Sequence, residues 1–124
     1  MGHELNTAWG KTGEDAAEVF LENKGYKIVA RNFRCKAGEI DRIVKDKHNL
    51  VFVEVKLKRD SSFGTPDEMV HFRKQRRLLK AAQWYMLVNN LDPETTNWRV
   101  DVVSIWFDEC DNRHIEHLEN AVIF

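Results

Sequence analysis

Three side chains within a short span have the types and spacing of a site that handles phosphate through a metal ion: Asp41, Glu54 and Lys56. They fall in Gly38-Glu39-Ile40-Asp41-Arg42-Ile43-Val44 and Leu50-Val51-Phe52-Val53-Glu54-Val55-Lys56, β-branched apolar stretches parted by Asp46-Lys47-His48-Asn49, which has the composition of a turn. A hairpin centred between Lys47 and His48 sets Asp41 opposite Glu54 and Glu39 opposite Lys56. Period-two alternation then puts Glu39, Asp41 and Ile43 on one face, and Phe52, Glu54 and Lys56 on one face of the partner strand. Carboxylates directly across a strand pair repel, and the flanking valines imply partial burial, where unpaired charge is costly. A divalent cation resolves that conflict, because Mg²⁺ takes one or two carboxylates together with waters and phosphate oxygens. Lys56 can orient an attacking water or stabilise charge on a phosphate. An isolated Glu-x-Lys is ordinarily the solvent side of an edge strand; the matching acid across the turn favours the metal reading.

The elements that must position these residues follow from periodicity. Asn6 or Thr7 can cap a helix whose clearest part is Glu14 to Lys24, with Ala16, Val19, Phe20, Ala17 and Leu21 as its apolar stripe and Gly25 as its terminator. Gly10 and Gly13 either fray its start or admit close backbone approach. Glu14 complements the helix dipole in its ordinary role, and it also lies where it could reach a metal or a nucleic acid. Tyr26 to Phe33 reads as a first strand, so three sequential strands form an antiparallel meander. Leu57 to Pro66 reads as a loop at the mouth of the site, with Ser61, Ser62 and Thr65 as further phosphate contacts. Asp67 to Val88 is a helix with Leu78, Leu79, Ala82, Tyr85 and Met86 as its buried stripe. Lys74 and Gln75, one turn before the leucines, lie near its sheet-facing side. Trp98 to Phe107 is a strand that can pair in parallel through the helical crossover, and Arg113 to Leu118 an edge strand hairpinned to it. Asp101 is expected to be a structural ion-pair partner. His114 and His117 face opposite ways on a strand and do not make a zinc pair.

Length and composition bound the rest. A chain of 124 residues suits one domain, 1–124, and 43% hydrophobic with 31% charged residues is the balance of a soluble globular protein. Net charge is −1, yet Lys56 to Lys80 holds eight Lys or Arg against three acids, while Asp92 to the end holds two against eight. One face can therefore be positive in a nearly neutral molecule, with Lys58, Arg59, Arg73, Lys74, Arg76, Arg77 and Lys80 as candidate phosphate contacts. Cys35 and Cys110 lack zinc spacing and read as reduced thiols. With no apolar leader segment, no myristoylation signal and no run long enough to cross a bilayer, the expected location is cytoplasmic and no membrane partner is expected.

The order helix, three strands, helix, strand, with Asp on the second strand and Glu-x-Lys on the third, resembles the PD-(D/E)xK superfamily, which includes type II restriction endonucleases and archaeal Holliday-junction resolvases. Gly13-Glu14-Asp15, Gly25-Tyr26, Arg31-Asn32, Gly38-Glu39-Ile40-Asp41, Phe52-Val53-Glu54-Val55-Lys56, Phe63-Gly64-Thr65-Pro66, Lys74-Gln75 and Asp101-Val102-Val103 extend the match. Together they resemble the bacterial YraN-like family of predicted endonucleases over nearly the whole chain. That resemblance implies an α/β, restriction-endonuclease-like core with a mixed central sheet flanked by helices. It implies Mg²⁺ or Mn²⁺ on Asp41 and Glu54, Lys56 beside the attacking water, Glu14 as a helix-borne acidic contributor and Gln75 assisting. Leu79 stands four after Gln75 where RecB-like members carry Tyr, which disfavours a helicase-linked exonuclease. Arg42 stands where the family usually has an aliphatic residue.

The expectation is a metal-dependent endonuclease acting on DNA. Likeness to resolvases extends it to branched or structured DNA cut by a homodimer. The competing readings are a nucleic-acid-binding module that kept the fold without the chemistry, and a small-molecule phosphoesterase.

Overall fold

The computed structural model describes residues 2–58 and 72–121, with side chains described over 12–58 and 73–121. The elements run α1 (Gly2–Asn23), β1 (Lys27–Cys35), β2 (Gly38–Asp46), β3 (Asn49–Lys58), α2 (Phe72–Val88), β4 (Trp98–Phe107) and β5 (Arg113–Leu118). All five strands join one sheet in chain order. β1, β2 and β3 form the antiparallel meander, β4 lies parallel to β3 after the crossover through α2, and β5 returns antiparallel to β4. The expected mixed α/β sheet with helices is what is found, and it is consistent with a restriction-endonuclease-like core. The loop from 59 to 66 and the start of the second helix, including Arg59, Ser61, Ser62 and Thr65, lie outside the described residues.

Each face of the sheet carries one helix. On one face Ile40, Ile43, Leu50, Phe52 and Val100 pack on Leu78, Ala81, Ala82 and Met86 of α2. On the other, Val44, Val51, Val53, Val103 and Ile105 pack on Ala17 and Leu21 of α1. Burial of β3 on both faces explains why Leu50 to Val55 is nearly continuous in apolar residues instead of alternating.

The stripe of α1 is narrower than expected. It centres on Gly13, Ala17 and Leu21, one ridge at four-residue spacing, with Ala16 and Phe20 packed beside it as expected, but Val19, about 200° round the helix from Ala17 at 3.6 residues per turn, is 55% exposed. The helix also runs through Gly10 and Gly13 without a break. Gly13 is small because Leu57 packs against it: a Cβ there would overlap the Leu57 methyl groups.

Asp101 is fully buried in β4 and accepts bonds from Arg99 Nε at 2.9 Å and from the Asn120 amide at 2.8 Å, with His117 Nε2 also at 2.8 Å. It is the structural hub the sequence suggested, tying the segment after β5 to the sheet. Arg99 and His117 outweigh desolvation and hold its carboxyl below the ordinary value. Removing the charge from such a buried cluster leaves its partners uncompensated, so Asp101→Asn is expected to cost about 3–5 kcal/mol in urea denaturation, with β5 the first element to lose amide protection.

Candidate active site at the splayed end of the hairpin

The turn between β2 and β3 sits where the sequence put it: Asp46 pairs with Asn49, and the register runs through Val44↔Val51 and Ile43↔Phe52 to Arg42↔Val53. There the ladder stops. The expected backbone pairs Asp41 with Glu54 and Glu39 with Lys56 do not form; instead the Asp41 side chain reaches across, and its Oδ2 accepts the Val55 amide at 2.8 Å. Beyond Arg42, β2 leaves β3 and continues with β1 only. The carboxylate takes the place of a backbone acceptor, and the opening it creates is the site.

Strict alternation also fails here. Ile40 and Ile43, an odd number of residues apart, enter the same core. Opposite this stretch Asn32 adopts φ of 50°, a left-handed conformation inside a strand that costs on the order of 1–3 kcal/mol and is tolerated best by Asn. Its amide nitrogen donates to Glu14 Oε1 and Glu39 Oε1, both at 3.1 Å. Asn32 therefore links α1, β1 and β2 behind the carboxylates.

The opening is a cavity of about 330 Å³ lined by Gly38, Glu39, Asp41, Glu54, Lys74, Arg77 and Leu78. Glu54 is 8% exposed; its Oε1 lies 3.3 Å from Lys74 Nζ, while its Oε2 is buried with no hydrogen-bond partner among the described residues. Burial and the neighbouring carboxylates of Glu54, Glu14 and Glu39 outweigh the Val55 amide and push Asp41 up to about 7. An orphaned anionic oxygen beside a carboxyl group that resists ionisation is a negative pocket short of positive charge. The donor set, two carboxylates of hard oxygen character, fits Mg²⁺ or Mn²⁺. Among the described residues no group of three or more His, Cys, Asp or Glu comes together as a closed cage, so water and substrate oxygens would complete the shell.

The remaining candidates divide by position. Lys56 is half-buried two residues beyond Glu54, on the strand face opposite Leu57, which packs with the α1 core. Glu14 lies behind Asp41, bonded to Asn32 and, at 3.3 Å, to Arg42. Gln75 is half-buried on α2 and does not line the cavity. Lys74 and Arg77 enter the cavity from α2; Arg73, Arg76 and Lys80 stand exposed on the same helix, and Lys58 is half-buried at the end of β3.

Two residues have a part in the site that the sequence reading did not give them. Arg42 is only 3% exposed, and its guanidinium meets Glu18 at 2.7 Å, Asp15 at 3.1 Å and Glu14 at 3.3 Å while donating to the Asp41 carbonyl at 2.8 Å. It fills the aliphatic place with an ion cluster that fastens α1 to the strand carrying Asp41. Asn32 could have been found from its type, since Asn is depleted in strands and here interrupts one.

Fold and site together define an α/β protein with a carboxylate cavity where a central hairpin opens. Residues 13–105 match the family model described as uncharacterised protein family UPF0102. A UPF0102 protein of Clostridium acetobutylicum is 38% identical over 96% of this chain and 97% of its own length, and one of Geobacter sulfurreducens is 42% identical over 97% and 92%. A UPF0102 protein of Lachnoclostridium phytofermentans is 45% identical over 81% and 84%. The chain belongs to family UPF0102, the YraN family identified above from its motifs.

The raised Asp41 value has a measurable consequence. Because it lies above the ordinary 3.8, the stabilising contribution of the protonated form is complete below about pH 4 and is lost as pH rises through about 7. Asp41→Asn, which keeps an acceptor for the Val55 amide, should gain stability over the parent across that window. In metal-free buffer the difference in unfolding free energy, measured by urea denaturation, should grow from pH 4 to pH 7 and then level off, at on the order of 2 kcal/mol once solvent screening is allowed for.

Proposed function

We propose that this protein is a metal-dependent nuclease that hydrolyses phosphodiester bonds in DNA. The observation that carries the reading is the convergence of Asp41 and Glu54 in one cavity, with Glu54 Oε2 buried and unpartnered and with Lys74 and Arg77 facing them from α2. Asp41 and Glu54 would hold Mg²⁺ or Mn²⁺, which when bound supplies a Lewis-acid charge and a water of lowered pKa. A positive charge beside Asp41 would favour its ionised form, so ion binding would be coupled to loss of the Asp41 proton. Lys56, on the face of β3 that carries Glu54, would position the attacking water. Lys74 and Arg77 would take the non-bridging phosphate oxygens, Lys74 exchanging its carboxylate partner for the phosphate. Arg42 holds Glu14 and the Asp41 backbone in place, and Asn32 ties Glu14 to Glu39.

The Lys74–Glu54 ion pair also supports a second reading, because an internal ammonium can serve as Glu54's counter-ion without any metal. In that case the protein is a nucleic-acid-binding module with a nuclease-like shape. Incubation of the parent, Asp41→Ala and Lys56→Ala with plasmid and four-way-junction DNA in Mg²⁺ or Mn²⁺ separates the two. Hydrolysis by the parent with at least about a hundredfold loss in each variant is expected, the order seen when one electrostatic stabiliser is removed. Binding without cleavage by the parent in either metal would leave the module.

A further inference from the structure

A second cavity of about 610 Å³ opens next to the first, lined by Arg34, Cys35, Lys36, Ala37, Lys80, Gln83, Trp84 and Leu87. The two are consecutive along the same elements. Gly38 lines the first and Ala37 the second, while on α2 Arg77 lines the first and Lys80, less than a turn later, the second. The first cavity holds the carboxylates. The second has no acid among its described lining residues, and it carries three cations around an indole that is 53% exposed; one of them, Arg34, also lies 3.5 Å from the exposed Glu39 of the first cavity, a surface pair that a phosphate can replace. Its volume is in the range that accommodates a small ring system.

We infer that this cavity is a base-stacking subsite for a single-stranded stretch of the nucleic acid, with Trp84 as the platform and Arg34, Lys36 and Lys80 on the flanking phosphates. The inference deepens the proposed function by naming its substrate class: DNA with unpaired bases beside the cleaved bond. An exposed aromatic face among cations matches one polymer chemistry well, since every base offers a π-face and every linkage a negative charge. The geometry sets the register. Arg77 to Trp84 spans about 10 Å along a helix at 1.5 Å per residue, at most about three nucleotides, since an unpaired strand is more extended than the 3.4 Å per nucleotide of a duplex strand. A bonded duplex cannot present a base face to Trp84 at that distance, because its bases are stacked on one another. A second copy of this chain fits the same surface poorly: two-fold docking would bring its lysines and arginine into the like-charged set of the partner.

The test is equilibrium binding of fluorescein-labelled oligo(dT) and of a blunt duplex to protein carrying Glu54→Gln in metal-free buffer, so that cleavage plays no part. With that background as the reference, adding Trp84→Ala should weaken oligo(dT) binding by about 5- to 150-fold, the equivalent of ~1–3 kcal/mol for one stacked base. Duplex binding should change little, and the slope of log affinity against log salt should stay the same. Trp84→Phe should restore most of the loss. Lys36→Glu with Lys80→Glu should weaken binding and lower the salt slope by about 1.4, about 0.7 for each phosphate contact on a single strand. Equal oligo(dT) affinity with and without Trp84→Ala would overturn the subsite. So would a concentration-dependent dimer that Trp84→Ala dissociates, which would make this face an interface between copies. If the parent hydrolyses DNA while Trp84→Ala alters neither binding nor cleavage, the subsite fails and the nuclease reading stands. If the parent neither binds nor cuts, both fail.

Discussion

The structure turns on one electrostatic problem: two carboxylates, Asp41 and Glu54, share a sheltered cavity at the point where β2 parts from β3. Taking negative charge out of water is costly unless something positive or protic replaces the water. The protein answers only in part. The Val55 amide serves one oxygen of Asp41, Lys74 serves one of Glu54, and Glu54 Oε2 goes without among the described residues. Asp41 meets the remaining deficit by holding its proton up to about pH 7. A neutralised acid beside an unsatisfied one is a strained arrangement for a purely structural hairpin. It is a natural one for a site that awaits a cation.

The surroundings are built to keep that deficit in place. Arg42 draws Glu14, Asp15 and Glu18 of α1 onto the back of β2, and Asn32 spends a left-handed conformation to join Glu14 to Glu39. Arg42 bonds the Asp41 carbonyl and Asn32 bonds the neighbouring carboxylates of Glu14 and Glu39, so they fix the surroundings of Asp41 without neutralising its side chain. On β4, where it pairs with Val53, Asp101 is satisfied by Arg99, His117 and the Asn120 amide, and its carboxyl sits below its ordinary value. The contrast between these two aspartates is informative: the same residue type in the same sheet is fully paired where it holds the fold and left short of partners where chemistry is proposed.

Much of this was legible from residue types because it depends on local periodicity. The turn at Lys47-His48 set the β2–β3 register, the bounds of β4 and β5 followed from β-formers and breakers, and the long helix before β4 allowed the parallel crossover that is found. What escaped was long-range or broke the period. Val19 looked apolar enough for the core, yet the ridge chosen by Gly13, Ala17 and Leu21 turned it to solvent. The departure of β2 from β3 depends on the Asp41 side chain capturing the Val55 amide, which no strand pattern encodes. Arg42 read as an oddity on a buried strand; its three acidic partners lie 24 to 28 residues earlier and meet it only in the folded chain.

If the cavity is a cation site, binding and proton release must be coupled through Asp41. Titration of the apo protein with Mn²⁺ at pH 6, by calorimetry in buffers of different ionisation enthalpy, measures that coupling without any nucleic acid. The expected result is saturable binding that releases close to one proton per ion, with both the binding and the release lost in Glu54→Gln. Absence of saturable binding, or binding that releases no proton and survives in Glu54→Gln, would show that the two carboxylates do not form a metal site.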